Sequence, residues 1–169
     1  RGISLSTCGL TGNIRRLADD GFSVTLCISL HSPFDDKRVR VMPSGRSYKI
    51  SDIIAAAKYY FEKSGRRIIF EYAMMRGFNI SAADAKALAG LAKNFPCHVN
   101  LIPLNETGSA LAGVNRREAD GFLKMLAGLG VSATIRRSLG EDIEGACGQL
   151  KRKYTENNGR YQINMTLDV

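Results

Sequence analysis

The residues best suited to chemistry lie in one stretch, Gly140-Glu141-Asp142-Ile143-Glu144-Gly145-Ala146-Cys147-Gly148-Gln149-Leu150. A thiolate is the nucleophilic form of cysteine, and it forms most readily in an accessible, electropositive setting. Arg136-Arg137 upstream and Lys151-Arg152-Lys153 downstream supply positive charge on both sides of Cys147. Glycine tolerates backbone conformations closed to other residues, so Gly140, Gly145 and Gly148 let the loop bend and approach another group closely. Local composition alone would read as a flexible loop holding an inert thiol. The rest of the chain shifts that reading.

Further polar side chains stand at the ends of apolar runs. Ser6 closes the first run, Ser29 and His31 close the second, Glu71 lies in the third, and Asn105 follows the fourth. Each has an ordinary structural role open to it. His31 can be a hydrogen-bonded structural residue, Asn105 can make an Asx turn, Ser6 can end its strand on backbone, and Glu71 can pair with an arginine. Their common placement gives them weight.

The elements that must position them alternate. Residues 2–7 read as a strand, 13–20 as a helix capped by Asn13, and 23–30 as an apolar strand covered on both faces. Residues 35–49 read as polar, basic and irregular. A strong helix follows over 53–63, ended by Gly65. Then come a strand over 67–75, a helix capped near Ser81 with Asp84 three residues on, and a strand over 98–102. Asn115 caps a last helix carrying Ala119, Phe122, Leu123 and Leu126, and the fifth strand covers 131–136. Five strands alternating with four helices imply right-handed crossovers and a parallel sheet. Neither G-x-G-x-x-G nor a P-loop is present to favour a nucleotide-binding doubly wound sheet. Polar residues at the C-terminal ends of successive strands instead suit a partial (β/α) barrel, which builds its site at that rim.

Composition bounds the partners. With 24 Lys and Arg against 16 Asp and Glu, the net charge is +8. The basic residues cluster as Arg15-Arg16, Lys37-Arg38-Val39-Arg40, Arg66-Arg67, Arg116-Arg117, Arg136-Arg137 and Lys151-Arg152-Lys153. That pattern leans towards nucleic acid. Cys8, Cys27, Cys97 and Cys147 include no C-x-x-C pair, which fits neither a zinc site nor a disulfide scaffold, and a reducing cytosol suits them best. No apolar run reaches membrane-spanning length. The chain opens on Arg1 rather than Met, as expected of a fragment or a processed product.

Six segments carry a family resemblance: Ser6-Thr7-Cys8-Gly9, Ile28-Ser29-Leu30-His31-Ser32-Pro33, Val41-Met42-Pro43, Phe70-Glu71-Tyr72, residues 97–103 and Ala146-Cys147-Gly148-Gln149-Leu150. In this order they resemble the RlmN/Cfr family of radical S-adenosylmethionine (SAM) enzymes, which methylate an adenine carbon in RNA, and the RlmN branch is the nearer fit. The resemblance implies that Ser6, Ser29, His31 and Asn105 hold SAM, and that Cys147 first receives a methyl group. It implies a second SAM cleaved at a 4Fe–4S cluster, a radical on that methyl group, and its addition to adenine C2. It also implies ribosomal RNA as substrate, with transfer RNA a second candidate. The C-x-x-x-C-x-x-C cluster signature and the resolving cysteine lie upstream in the family, so this chain carries no metal ligands and is expected to be inactive alone. Gly12, Asn79-Ile80 and Asn105-Glu106 stand where the family more often has proline, Asn-Asp and Asn-Pro. The expected protein is a cytoplasmic monomer without membrane contact, with barrel residues over 1–153 and a tail over 154–169. A non-catalytic basic RNA-binding module, or a radical SAM enzyme acting on a small molecule, are the alternatives.

Overall fold

A computed structural model describes residues 2–104 and 112–136. The elements are β1 (Ser4–Thr7), α1 (Thr11–Asp19), β2 (Thr25–Ser29), α2 (Asp35–Val41), a 3-10 turn (Pro43–Arg46), α3 (Ile50–Ser64), β3 (Ile68–Met74), α4 (Ala82–Ala92), β4 (Cys97–Pro103), α5 (Arg116–Gly128) and β5 (Ala133–Ile135). The strands form one sheet in the order β1-β2-β3-β4-β5, and every neighbouring pair is parallel.

That order decides between the two architectures. A doubly wound sheet reverses direction partway and places helices on both faces. Here each crossover steps to the next strand on the same side, and right-handedness then puts the crossover helices on one face. The result is a section of a (β/α) barrel.

Burial shows the consequence. β3 alternates strictly: Ile68, Phe70, Tyr72 and Met74 are buried, and Ile69, Glu71 and Ala73 are half-buried. The buried set joins Leu26, Ile28, Val99 and Leu101 of the adjacent strands and Ile53, Ala57, Tyr60, Leu88 and Phe122 of the helices in one core. Register places Ser6, Cys27, Ser29, Glu71, Asn100 and Thr134 on the opposite face. β2 is therefore packed by helices on one side only. Its apolar run suggested cover on both, because Cys27 reads as a core residue whichever face it occupies.

Residues 35–49 are not irregular. They form α2 and the 3-10 turn, so the described residues hold five α-helices rather than four. The short basic sequence Asp35-Asp36-Lys37-Arg38-Val39-Arg40-Val41 has little amphipathic pattern of its own; tertiary bonds made by Asp35, Lys37 and Arg38 hold it. Asn13 does not cap α1, which starts at Thr11 after Leu10 with no side-chain cap. The Ser81–Asp84 capping box and the Asn115 cap are both present, the latter completed by Glu118. The boundary expected at residue 153 lies outside the described residues.

Tyr60 ties α3 to the entry of β2. Its fully buried hydroxyl accepts from Val24 N at 3.0 Å and lies 2.8 Å from Val24 O and 2.9 Å from Phe22 O. Tyr60→Phe leaves those backbone groups short of a partner, and chemical denaturation should show a loss of about 1–3 kcal/mol.

Candidate functional site

Ser6, Ser29 and His31 meet at one rim of the uncovered face. β1 and β2 run in register from Ser4↔Thr25 to Thr7↔Ile28, so Ser6 lies beside Cys27 and diagonal to Ser29, with both serines on the same face. Glu71 is level with Ser29 on one side and Asn100 on the other. Among the described residues no arginine pairs with Glu71, contrary to the ordinary role its position suggested. Asn105 and Cys147 lie outside the described residues.

His31 has φ 58°, the left-handed region that non-glycine residues seldom occupy. Three bonds hold it there. Its backbone N–H donates to Glu71 O at 3.3 Å, its carbonyl accepts from Asn79 Nδ2 at 2.8 Å, and its ring Nδ1 accepts from Ala73 N at 3.1 Å. Accepting a backbone N–H requires an unprotonated Nδ1, so the neutral ring carries its proton on Nε2. Burial, aided by the charge of Arg38, pushes the imidazole down to about 4. The rim thus offers a fixed, uncharged donor.

Asn79 is the clamp behind it. Fully buried, it accepts from Met75 N at 2.8 Å through Oδ1, and Nδ2 donates to Ala73 O at 2.7 Å as well as to His31 O. Tyr72 donates its hydroxyl to Asn79 O at 2.7 Å. The neighbouring departure, Ile80, is absorbed by packing against the core.

A second clamp comes from α2. Lys37 Nζ donates to Phe78 O at 2.7 Å and to the buried Asp84 carboxylate at 2.6 Å, fastening α2 to the start of α4. Asp35 Oδ1 accepts from Ile50 N at 2.9 Å. Arg38 is fully buried. Its neighbour Arg40 lies over the Phe78 ring, 5.0 Å from the centroid. The run Lys37-Arg38-Val39-Arg40 is therefore mostly structural, although charge alone grouped it with nucleic-acid contacts. Neither Arg38 nor Asn79 was legible as a rim residue, since a basic cluster and a loop Asn are ordinarily solvated.

Cys27 and Cys97 are not activated. Burial, then the Glu71 charge, raise the Cys27 thiol against a smaller lowering influence of the neighbouring Ser6, and burial pushes Cys97 up to about 11. Both remain protonated near neutral pH and are poor nucleophiles. Among the described residues no three His, Cys, Asp or Glu side chains converge on a common point. They do not fit an iron–sulfur cluster. They do fit a polar small molecule: two hydroxyls and a neutral imidazole lie at one rim. No helix among the described residues is long and apolar enough to cross a membrane.

Comparison with known proteins gives this rim a context. No family model matches the chain. Over 160 residues it is 48% identical to the probable dual-specificity RNA methyltransferase RlmN of Clostridium perfringens strain 13, covering 94% of this chain and 46% of that protein. The corresponding protein of Lachnoclostridium phytofermentans is 41% identical over 166 residues, with 98% and 47% covered. The crystal structure of a radical SAM methyltransferase from Sphaerobacter thermophilus superposes with a TM-score of 0.81 at 43% identity, covering 87% of this chain and 43% of that one. A domain of pyruvate-formate lyase-activating enzyme from Bacteroides vulgatus shares the fold with a TM-score of 0.62 at 13% identity, covering 80% of this chain and 81% of that one. The sheet is that of a radical SAM partial barrel. The chain belongs to the RlmN/Cfr family of radical SAM RNA methyltransferases, and it spans about half the length of the curated relatives it matches.

Two measurements check the rim. Asn79→Ala removes three buried hydrogen bonds and should cost about 3 kcal/mol in denaturant titration, more than a surface Asn→Ala. His31 takes up a proton near 6.5 when unfolded but only near 4 when folded. Its contribution is therefore complete above pH 6.5 and is lost as pH falls from there towards 4. His31→Gln should flatten the fall in melting temperature across that window, leaving a residual slope from His98, which burial shifts the same way.

Proposed function

We propose that this chain supplies the SAM-holding rim and the methyl-carrying cysteine of an RNA methyltransferase acting on adenine C2 of 23S ribosomal RNA, with transfer RNA a second candidate substrate. The observation that carries the reading is the meeting of Ser6, Ser29 and His31 on the one face that helices leave open. The family resemblance supports Asn105, which follows β4 in sequence, as a further SAM contact, and Cys147 as the methyl acceptor. When bound, SAM supplies the methyl group and the 5′-deoxyadenosyl fragment.

The chain's own residues perform the supporting steps. Ser6 and Ser29 offer hydroxyls that both donate and accept, matching the hydroxyl and carboxylate groups of such a ligand. His31 offers Nε2–H without charge, so it orients the ligand without competing with a positively charged sulfonium. Cys147, flanked by Arg136-Arg137 and Lys151-Arg152-Lys153, accepts a methyl on Sγ as a thiolate and then presents it to the base. Exposed arginines such as Arg116 and Arg117 engage phosphates and fix register without reading sequence. The cluster ligands and the residue that resolves the protein–RNA linkage would come from the region that, in the family, lies upstream of the strand with which this chain opens. The chain alone is therefore inactive, and the whole enzyme acts as a cytoplasmic monomer.

Full-length protein with its cluster reconstituted should be incubated with SAM and digested for mass spectrometry. A methyl group is expected on Cys147, and incubation with a ribosomal RNA fragment should then yield 2-methyladenosine. Cys147→Ala should abolish product while retaining RNA binding. RNA affinity without any methyl on wild-type Cys147 would favour a binding module, and turnover independent of RNA would favour a small-molecule enzyme.

A further inference from the structure

Arg38 is an anomaly of the core. It is fully buried, and among the described residues no carboxylate forms an ion pair with it. Its Nε has no hydrogen-bond partner there. Desolvating a guanidinium without a counter-ion is costly, and an apolar side chain of similar volume would fill the space more cheaply. What the residue supplies in return is a set of backbone hydrogen bonds.

The bonds show what that is. Nη2 donates to Cys8 O at 2.6 Å and Ser29 O at 3.4 Å and lies 3.0 Å from Met42 Sδ, while Nη1 donates to Tyr48 O at 3.3 Å. The β1–β2 register ends at Thr7↔Ile28. The next pair in that register is Cys8 and Ser29, the two carbonyls that share Nη2. Where the sheet ladder stops and the strands part, the guanidinium takes over as the link between them. The chain then turns tightly over it. Gly9 has φ 96°, and a Cβ there would sit 2.6 Å from Ile53 Cδ1 and 3.5 Å from Arg38 Nη2.

We infer that Arg38 is a positioning residue that fixes the spacing between the ends of β1 and β2, and so the separation at which Ser6 and the Ser29–His31 turn grip one ligand. Ser6 stands two residues before one bridged carbonyl, and Ser29 owns the other. α2, held by Lys37 and Asp35, carries this side chain into the core. Lysine does not replace it, because its strongly hydrated ammonium ends one atom short of Nη2 and, even if it reached the two strand-end carbonyls, would leave the Tyr48 carbonyl without the second nitrogen that serves it. The inference rests on the rim being the SAM site.

Arg38→Lys in the full-length protein tests it, with SAM and RNA affinities measured separately and scored per folded molecule, well below each variant's melting midpoint. SAM affinity is expected to fall about tenfold or more, with RNA affinity unchanged. The KM for SAM should rise while kcat at saturating SAM holds; loss of folded protein would instead lower kcat at constant KM. Arg38→Gln, planar but shorter, should act in the same direction and serves where the lysine variant does not fold. Folded variants binding SAM within about twofold of wild type would overturn the inference. Wild-type protein that binds RNA but no SAM would overturn the proposed function, and this inference with it.

Discussion

The constraint on which the structure depends is the handedness of its crossovers. Each strand is followed by a connection that returns to the next position along the sheet, always in the same direction. Right-handed geometry then commits the crossover helices to one face. Apolar side chains from alternate positions of β2, β3 and β4 pack beneath them, most strictly in β3. The intervening positions have no layer to enter, and they carry Ser6, Ser29, Glu71, Asn100 and Thr134. A polar inner face follows from strand order as much as from residue choice.

Polar groups inside the protein complete the rim. A loop leaving a parallel strand breaks the ladder and strands its backbone groups, which must find partners or lose stability. At the end of β2 that task falls to side chains from distant segments. Asn79 takes the His31 carbonyl, Arg38 takes those of Cys8 and Ser29, and Glu71 O receives the N–H groups of Leu30 and His31. The left-handed conformation of His31 is tolerated because so many bonds determine it. Such a rim is preorganised, its donors and acceptors already placed before a ligand arrives.

Much of this was readable in the sequence. Alternating β-rich and amphipathic runs gave the five strands, and the Ser81 and Asn115 caps lie where local chemistry put them. Ser6, Ser29 and His31 were legible because they end apolar runs. What escaped were features owing their form to contacts far along the chain. α2 has no apolar stripe and is held by Asp35, Lys37 and Arg38. Burial of Arg38 is invisible in a basic run, since nothing in Lys37-Arg38-Val39-Arg40 distinguishes the buried member from the exposed one. Cys27 looked like core and is buried, yet its face is the polar one, because periodicity fixes alternation but not which set faces the helices.

The central claim is that the C-terminal ends of β1 and β2 jointly grasp SAM. Hydrogen–deuterium exchange on the full-length protein with its cluster, with and without SAM, addresses it segment by segment. Slower exchange on adding SAM is expected over residues 6–9 and 29–32, with no change over residues 96–98 at the opposite end of the sheet. Protection at that opposite end, or none at the rim under saturating SAM, would contradict the account.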